Sequence, residues 1–153
     1  MEKQVFIDKY GEMARMAGEL YGLNPVVMLA QGALESGWGE SVLAAKYNNF
    51  FGITGYGVTN AYWHGGKTDL GNGGLQFRRY DSPQNSFLDF ARLIHTAYPQ
   101  AAAVSFYPEA YAQEMAYSRY ISEANGDNRL AYRRALVRIA KDIKGIYLSS
   151  SRK

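Results

Sequence analysis

The chain has 153 residues, 47% of them hydrophobic and 20% charged, a composition that fits one globular domain over residues 1–153 rather than a disordered chain. It has no cysteine, which excludes a disulfide framework, thiolate metal sites and a thiol nucleophile. With 17 Lys and Arg against 14 Asp and Glu, the net charge of +3 is too small and too scattered to point to nucleic acid.

Residues 2–22 predict an amphipathic helix. Val5, Phe6, Tyr10, Met13, Ala17, Leu20 and Tyr21 recur at helical spacing and Gly22 ends the run. Asn24 is an N-cap for a second helix with Pro25 at its first position. Val26 to Leu34 is apolar nearly all round, so this helix is expected at the centre of the molecule, ended by Gly37. A short helix is expected around Ser41–Lys46. From Asn48 to Tyr80 the chain is dense in glycine and poor in aliphatics. Tyr62-Trp63 and Leu75 to Tyr80 are predicted strands around a turn at Asn72-Gly73, making a small mobile β-lobe over about 54–80. Ser82-Pro83 then opens a helix reaching about Tyr98, and Pro108 to Met115 opens another. Asp127 or Asn128 caps a last helix, with Leu130, Leu136, Ile139, Ile143 and Ile146 inward and Arg133, Arg134, Arg138 and Lys141 outward. The expected fold class is mainly α (α+β), a helical lobe with a small β insertion.

No apolar run reaches the roughly 18 residues that cross a bilayer. Met1 to Tyr10 carries Glu2 and Asp8 and lacks a signal-peptide core. His64 and His95 have no ligand at metal-motif spacing, so no metal is expected. There is no Gly-x-Ser-x-Gly elbow and no phosphate-binding glycine loop. The 13 Tyr, 7 Phe and 2 Trp supply flat apolar faces with polar tips, suited to core edges and to clefts that hold sugars.

Carboxylates remain. Glu35 falls in the last turn of the central helix, before Ser36-Gly37-Trp38-Gly39. The negative end of the helix dipole and the apolar neighbours Ala33, Leu34 and Trp38 all disfavour its charged form, which suits a general acid. A surface acid that merely ends a helix is the other reading, but it explains an exposed Trp between two glycines poorly.

Ala30-Gln31-Gly32-Ala33-Leu34-Glu35-Ser36-Gly37-Trp38-Gly39 resembles the signature of the β-N-acetylglucosaminidase family of peptidoglycan hydrolases, which includes the muralytic domain of the flagellar rod protein, autolysins and phage lysins. Asn48-Asn49-Phe50-Phe51-Gly52-Ile53 and Phe77-Arg78-Arg79-Tyr80-Asp81-Ser82 resemble its next two blocks in order. The resemblance spans roughly residues 5–145. It implies a lysozyme-like fold with a glycan-binding cleft between the lobes, no cofactor, and Glu35 as general acid. Thr68-Asp69 before Asn72-Gly73 resembles the Thr-Glu of the family's hairpin, making Asp69 the second carboxylate, one methylene short. A turn residue beside glycines is the other reading of Asp69. Tyr120 falls where the family has a cleft tyrosine, with a core tyrosine as the alternative.

Trp38, Phe51, Trp63 and Tyr80 are expected to stack on sugar faces, and Asn49 to bond an N-acetyl group or tie down a loop. Of Phe50 and Phe51, one is expected in the core and one in the cleft. The expected activity is endo-hydrolysis of the β-1,4 bond between N-acetylglucosamine and N-acetylmuramic acid, on peptidoglycan glycan strands at the cell wall, by a monomer. A muramidase or lytic transglycosylase on the same fold, and a non-catalytic glycan-binding module, are the alternatives.

Overall fold

The computed structural model describes residues 2–71, 73–121 and 128–151, the side chains of 150 and 151 excepted. Helices α1 (Lys3–Tyr21), α2 (Pro25–Ser36) and α3 (Val42–Tyr47) lead into a two-stranded hairpin, β1 (Lys67–Asp69) and β2 (Gln76–Arg78). Helices α4 (Pro83–Ala97), α5 (Pro99–Ala103), α6 (Pro108–Ala116) and α7 (Arg129–Ser151) follow. The fold is mainly α with one small antiparallel sheet, as the sequence predicts.

The central helix is α2. Asn24 Oδ1 accepts from Val26 N at 3.0 Å, and Pro25 needs no partner at the first position. Every residue from Val26 to Ala33 is buried, because α1 and α7 pack on α2. Helix α1 also packs on α4, and α6 on α7. Phe6, Tyr10, Phe50, Phe51, Phe87 and Phe90 form one aromatic cluster beneath α2, with Phe51 stacked on Phe90 at 3.9 Å between centroids. Burying rings of this size contributes about 1.5–3 kcal/mol each.

The second strand falls within the expected Leu75 to Tyr80, but the first sits elsewhere than expected. Tyr62-Trp63 is not a strand; the pairing is Lys67 with Arg78, Thr68 with Phe77 and Asp69 with Gln76. Trp63 is drawn inward instead, at 1% exposure, with Nε1 donating to Gly66 O at 2.8 Å and the Arg78 guanidinium 4.0 Å over its ring. The segment before it adds a third edge to the hairpin. Thr54 bridges Phe77, Gly55 N donates to Gln76 O and Arg78 N donates to Ile53 O. Asn72 of the predicted turn lies outside the described residues.

Helix α5 carries no amphipathic period long enough to predict; Pro99 restarts the chain directly after α4. In α7, Leu136 and Ile143 are buried as expected, Ile139 and Ile146 are half-buried, and Leu130 is exposed near the helix start. Asn128 Oδ1 accepts from Ala131 N at 3.0 Å, while Asp127 lies outside the described residues.

One buried carboxylate fastens the hairpin lobe to the helices. Asp89 on α4 is 0% exposed. It accepts from Arg78 Nη1 at 2.8 Å, Tyr80 Oη at 2.5 Å, Arg92 Nε at 2.9 Å and Asn60 Nδ2 at 2.9 Å. Arg78 also donates to Thr54 O and Tyr56 O. A buried charge with this many donors is satisfied, whereas one left unpaired costs several kcal/mol.

Candidate active site

A cleft of about 1450 Å³ runs between the hairpin lobe and the helices. Glu35, Phe51, Gly52, Tyr56, Leu70, Arg78, Tyr98, Arg119, Tyr120 and Tyr132 are among the residues that line it. Glu35 is the one carboxylate in this lining among the described residues.

Local sequence sets Glu35 there. The last turn of α2 is closed by Ser36, whose Oγ donates to Gly32 O at 2.5 Å and accepts from Gly39 N at 2.8 Å. Gly37, Trp38 and Gly39 all hold positive φ, at 57°, 58° and 81°. A left-handed Trp is strained by roughly 1–2 kcal/mol. Its ring offsets this by packing edge-on to Phe6 at 5.5 Å, with Lys3 Nζ 5.8 Å above it. Trp38 therefore belongs to the α1 side and is absent from the cleft wall, which corrects its expected role in sugar stacking and accounts for the Gly-Trp-Gly run.

The surroundings of Glu35 also differ from expectation. Ala33, Leu34 and Trp38 turn toward the core, and the Glu35 carboxyl is exposed to the cleft. Its environment comes from two tyrosines distant in sequence. Tyr132 Oη on α7 donates to Glu35 Oε1 at 2.9 Å. Tyr120 Oη donates to Phe51 O at 2.7 Å. Burial and then the Glu35 charge push both phenols well above the ordinary tyrosine range, so both remain neutral donors. Gly52 passes beside the carboxyl with φ +68°; a Cβ there would stand 4.0 Å from Glu35 Oε2. The left-handed backbone is what favours glycine at this point.

The remaining predicted residues divide clearly. Asn49 is buried and acts as a loop staple: its Oδ1 accepts from Phe51 N, Gly52 N and Ile53 N, and its Nδ2 donates to Ile53 O and Arg78 O. That consumes the amide and leaves nothing for an N-acetyl group. Phe50 and Phe51 are both buried, and of the two it is Phe51 that lines the cleft, as its floor, with its ring stacked on Phe90. Trp63 and Tyr80, at 1% and 4% exposure, have no free ring face for a sugar. Asp69 is exposed at the end of β1, where Oδ1 accepts from Gly71 N at 2.6 Å. It caps its own turn, as Asp commonly does, and is not among the cleft-lining residues.

Sequence reasoning missed Tyr132 and Arg119, which both line the cleft. Tyr132 stands on the inward stripe of α7 with Leu136, Ala140 and Ile143, and a polar-tipped ring on a core stripe is the signal that could have found it. Among the described residues there is no group of three or more His, Cys, Asp or Glu able to hold a metal, and no helix long and apolar enough to cross a membrane.

A carboxyl at the end of a buried central helix, facing a cleft closed by a hairpin lobe, defines a glycoside-hydrolase domain of the lysozyme-like kind. The chain belongs to the glucosaminidase family of peptidoglycan hydrolases, whose model, described as mannosyl-glycoprotein endo-beta-N-acetylglucosaminidase, matches residues 11–145. It is 50% identical over 54 residues to the exo-glucosaminidase LytG of Bacillus subtilis, covering 35% of this chain and 19% of that protein. It is 37% identical over 101 residues to a probable N-acetylmuramidase of Lactococcus lactis, covering 61% of this chain and 22% of that protein. The chain thus spans about a fifth of the length of these curated relatives. The solved glycoside hydrolase domain of FlgJ from Salmonella typhimurium superposes with a TM-score of 0.71 at 28% identity, covering 99% of this chain and 94% of that one.

Proposed function

We propose that the chain is an endo-acting β-N-acetylglucosaminidase that cuts peptidoglycan strands between N-acetylglucosamine and N-acetylmuramic acid, as a monomer at the cell wall. Glu35 is the general acid. The observation that carries this reading is its position: the sole described carboxylate of the cleft, held by the Tyr132 hydroxyl. Tyr120 lines the same wall and pins Phe51, so it shapes the subsite beside Glu35.

Asp69 spends its Oδ1 on the hairpin turn, which favours a route without a second protein carboxylate. In that route the carbonyl oxygen of the substrate's 2-acetamido group attacks C1. The bond from C1 to the leaving oxygen breaks, and that oxygen takes the Glu35 proton. Water then adds at C1, gives its proton to Glu35 and reopens the ring formed by the acetamido group. Family likeness and the groove between the lobes support the glycan strand as substrate. The Arg119 guanidinium supports a carboxylate-bearing strand over a neutral one: it lines the cleft with no ion pair among the described residues, whereas Arg78 is bound to Asp89.

The test is mass spectrometry of borohydride-reduced peptidoglycan digests. Fragments ending in reduced N-acetylglucosamine are expected. Fragments ending in reduced or anhydro-muramic acid would replace this reading with a muramidase or a lytic transglycosylase, the former activity being the one named for the Lactococcus relative.

A further inference from the structure

The aromatic residues that line the cleft are Phe51, Tyr56, Phe77, Tyr98, Tyr120 and Tyr132. All but Tyr56 are already engaged. Phe51 is stacked on Phe90, Tyr98 and Tyr120 pack edge-on to each other at 5.9 Å, and Tyr132 holds Glu35. Phe77 is half-buried in the hairpin, paired with Thr68 and bridged to Thr54. Tyr56 is 61% exposed, and its side chain makes no hydrogen bond or ring contact among the described residues. A ring left in water forgoes the stabilisation that burial would bring.

The local sequence keeps this ring bare. Gly55 and Gly57 flank it, so neither chain neighbour has a side chain to cover its faces. Gly57 holds φ +92°, a conformation that favours glycine, and a Cβ there would stand 3.3 Å from Arg78 Nη2. The backbone beneath the ring is tethered. Arg78 Nη2 donates to Tyr56 O at 2.6 Å, and Arg78 is itself held by the buried Asp89. Gly55 N donates to Gln76 O at 2.8 Å, which ties the segment to β2. Only the torsions of the side chain itself are left to order when a ligand meets the ring, so the entropic cost of contact is low. Tyr56 stands on the lobe wall, four residues beyond the Gly52 that passes beside the Glu35 carboxyl. Four extended residues span at most about 14 Å, so a strand that reaches Glu35 also passes within reach of this ring.

We propose that Tyr56 is the platform on which a pyranose ring of the bound strand stacks; this rests on the cleft holding a glycan strand. In a β-1,4-linked hexosamine the hydroxyl, acetamido and glycosidic substituents are equatorial and the C–H bonds axial. Each face of the sugar is therefore a patch of C–H hydrogens. The face of a phenol ring is apolar and electron-rich, so it attracts these hydrogens while both surfaces shed water. Recognition of this kind reads the sugar ring and not its charge, which separates it from the attraction of Arg119 for carboxylates. The contact is made in substrate and transition state alike, so it governs KM more than kcat.

The experiment measures calorimetric binding of N-acetylglucosamine oligomers and of soluble peptidoglycan strands to Glu35→Gln protein that also carries Tyr56→Ala, Tyr56→Phe or Tyr56→Trp. Steady-state kinetics of the same Tyr56 variants, with Glu35 kept, accompany it. Tyr56→Ala is expected to weaken binding of both ligands about tenfold. Its KM should rise by a similar factor with kcat within about twofold. Tyr56→Phe and Tyr56→Trp keep a ring face and should bind within about twofold of tyrosine. Unchanged binding in Tyr56→Ala would overturn the platform, as would an equal loss in Tyr56→Phe or a loss confined to peptidoglycan. Thermal melts check the fold. Tyr56→Gln, which replaces the ring with a polar chain, keeps the test open if Tyr56→Ala does not fold: it is expected to bind weakly, and binding equal to that of tyrosine would overturn the platform. Digest masses separate the two readings. If they show a different bond cut while Tyr56→Ala binds weakly, only the bond assignment fails; if they show the expected fragments while Tyr56→Ala binds normally, only the platform fails.

Discussion

The Tyr132 hydroxyl donates to Glu35 Oε1 at 2.9 Å, joining two residues 97 positions apart at the wall of the cleft. Helix α7 packs directly on α2, so the contact is made between two rigid elements. A site supported in this way holds its geometry better than one carried on loops.

Glu35→Gln is expected to abolish hydrolysis and leave the fold intact, because the amide is nearly isosteric but has no acidic proton. The loss should reach at least the ~10²–10⁴-fold usual for acid–base catalysis. Release of soluble fragments from purified peptidoglycan measures it, with circular dichroism as the control. Retention of more than about a tenth of wild-type activity would remove Glu35 from the role.

Asp69→Asn is expected to keep near-wild-type turnover. Asparagine also caps turns of this kind, and the lost charge is at the end of β1, away from the lining of the cleft. A drop of a hundredfold or more would mean that the lobe closes to bring Asp69 to the sugar. Asp69→Glu would then distinguish a lobe that already reaches from one that needs the extra methylene. In the route through the acetamido group, the product retains the β configuration at C1, which proton NMR of the first-formed product reads directly.

Arg119→Gln is expected to raise KM for peptidoglycan several-fold with kcat little changed, since an exposed cation contributes long-range attraction more than transition-state contact. Neutral N-acetylglucosamine oligomers should show no such change. The wild-type preference for peptidoglycan should also weaken as salt is raised. Equal effects on both substrates would assign Arg119 to general cleft structure.

Asp89 governs acid stability. Burial is the largest single influence and pushes its carboxyl up, but the Tyr80 hydrogen bond and the Arg78 and Arg92 guanidinium groups together hold it below the ordinary aspartate range. A carboxyl whose folded value is depressed contributes stability above its unfolded value near 4 and loses it as pH falls through the folded one. The melting temperature is therefore expected to fall as pH drops below about 4, and to do so less in Asp89→Asn. Asp89→Ala leaves Arg78 buried without its partner and should cost about 3–5 kcal/mol, or a Tm lowered on the order of 10 °C.

Much of this protein is written locally. Asn24-Pro25, Ser82-Pro83 and the glycines after α1 and α2 mark helix ends through backbone chemistry that needs no distant partner. The apolar run from Val26 onward announces a helix buried on all sides, and Glu35 at its end is legible as the odd polar group. Patterning of this kind fails where rings are concerned. Trp38, Phe51, Trp63 and Tyr80 look the same in sequence whether they face a sugar or the core, and packing against Phe6, Phe90, Arg78 and Asp89 decided each of them. Asn49 and Asp69 were decided by nearby backbone groups that only a folded loop brings within hydrogen-bond reach. Tyr132 acquires meaning solely because α2 and α7 meet. The sequence by itself determined the helices, their caps and the identity of the candidate acid. The partners of that acid, and which aromatic rings are left free to meet a ligand, depended on contacts between residues far apart in the chain, which no local rule of propensity or spacing encodes.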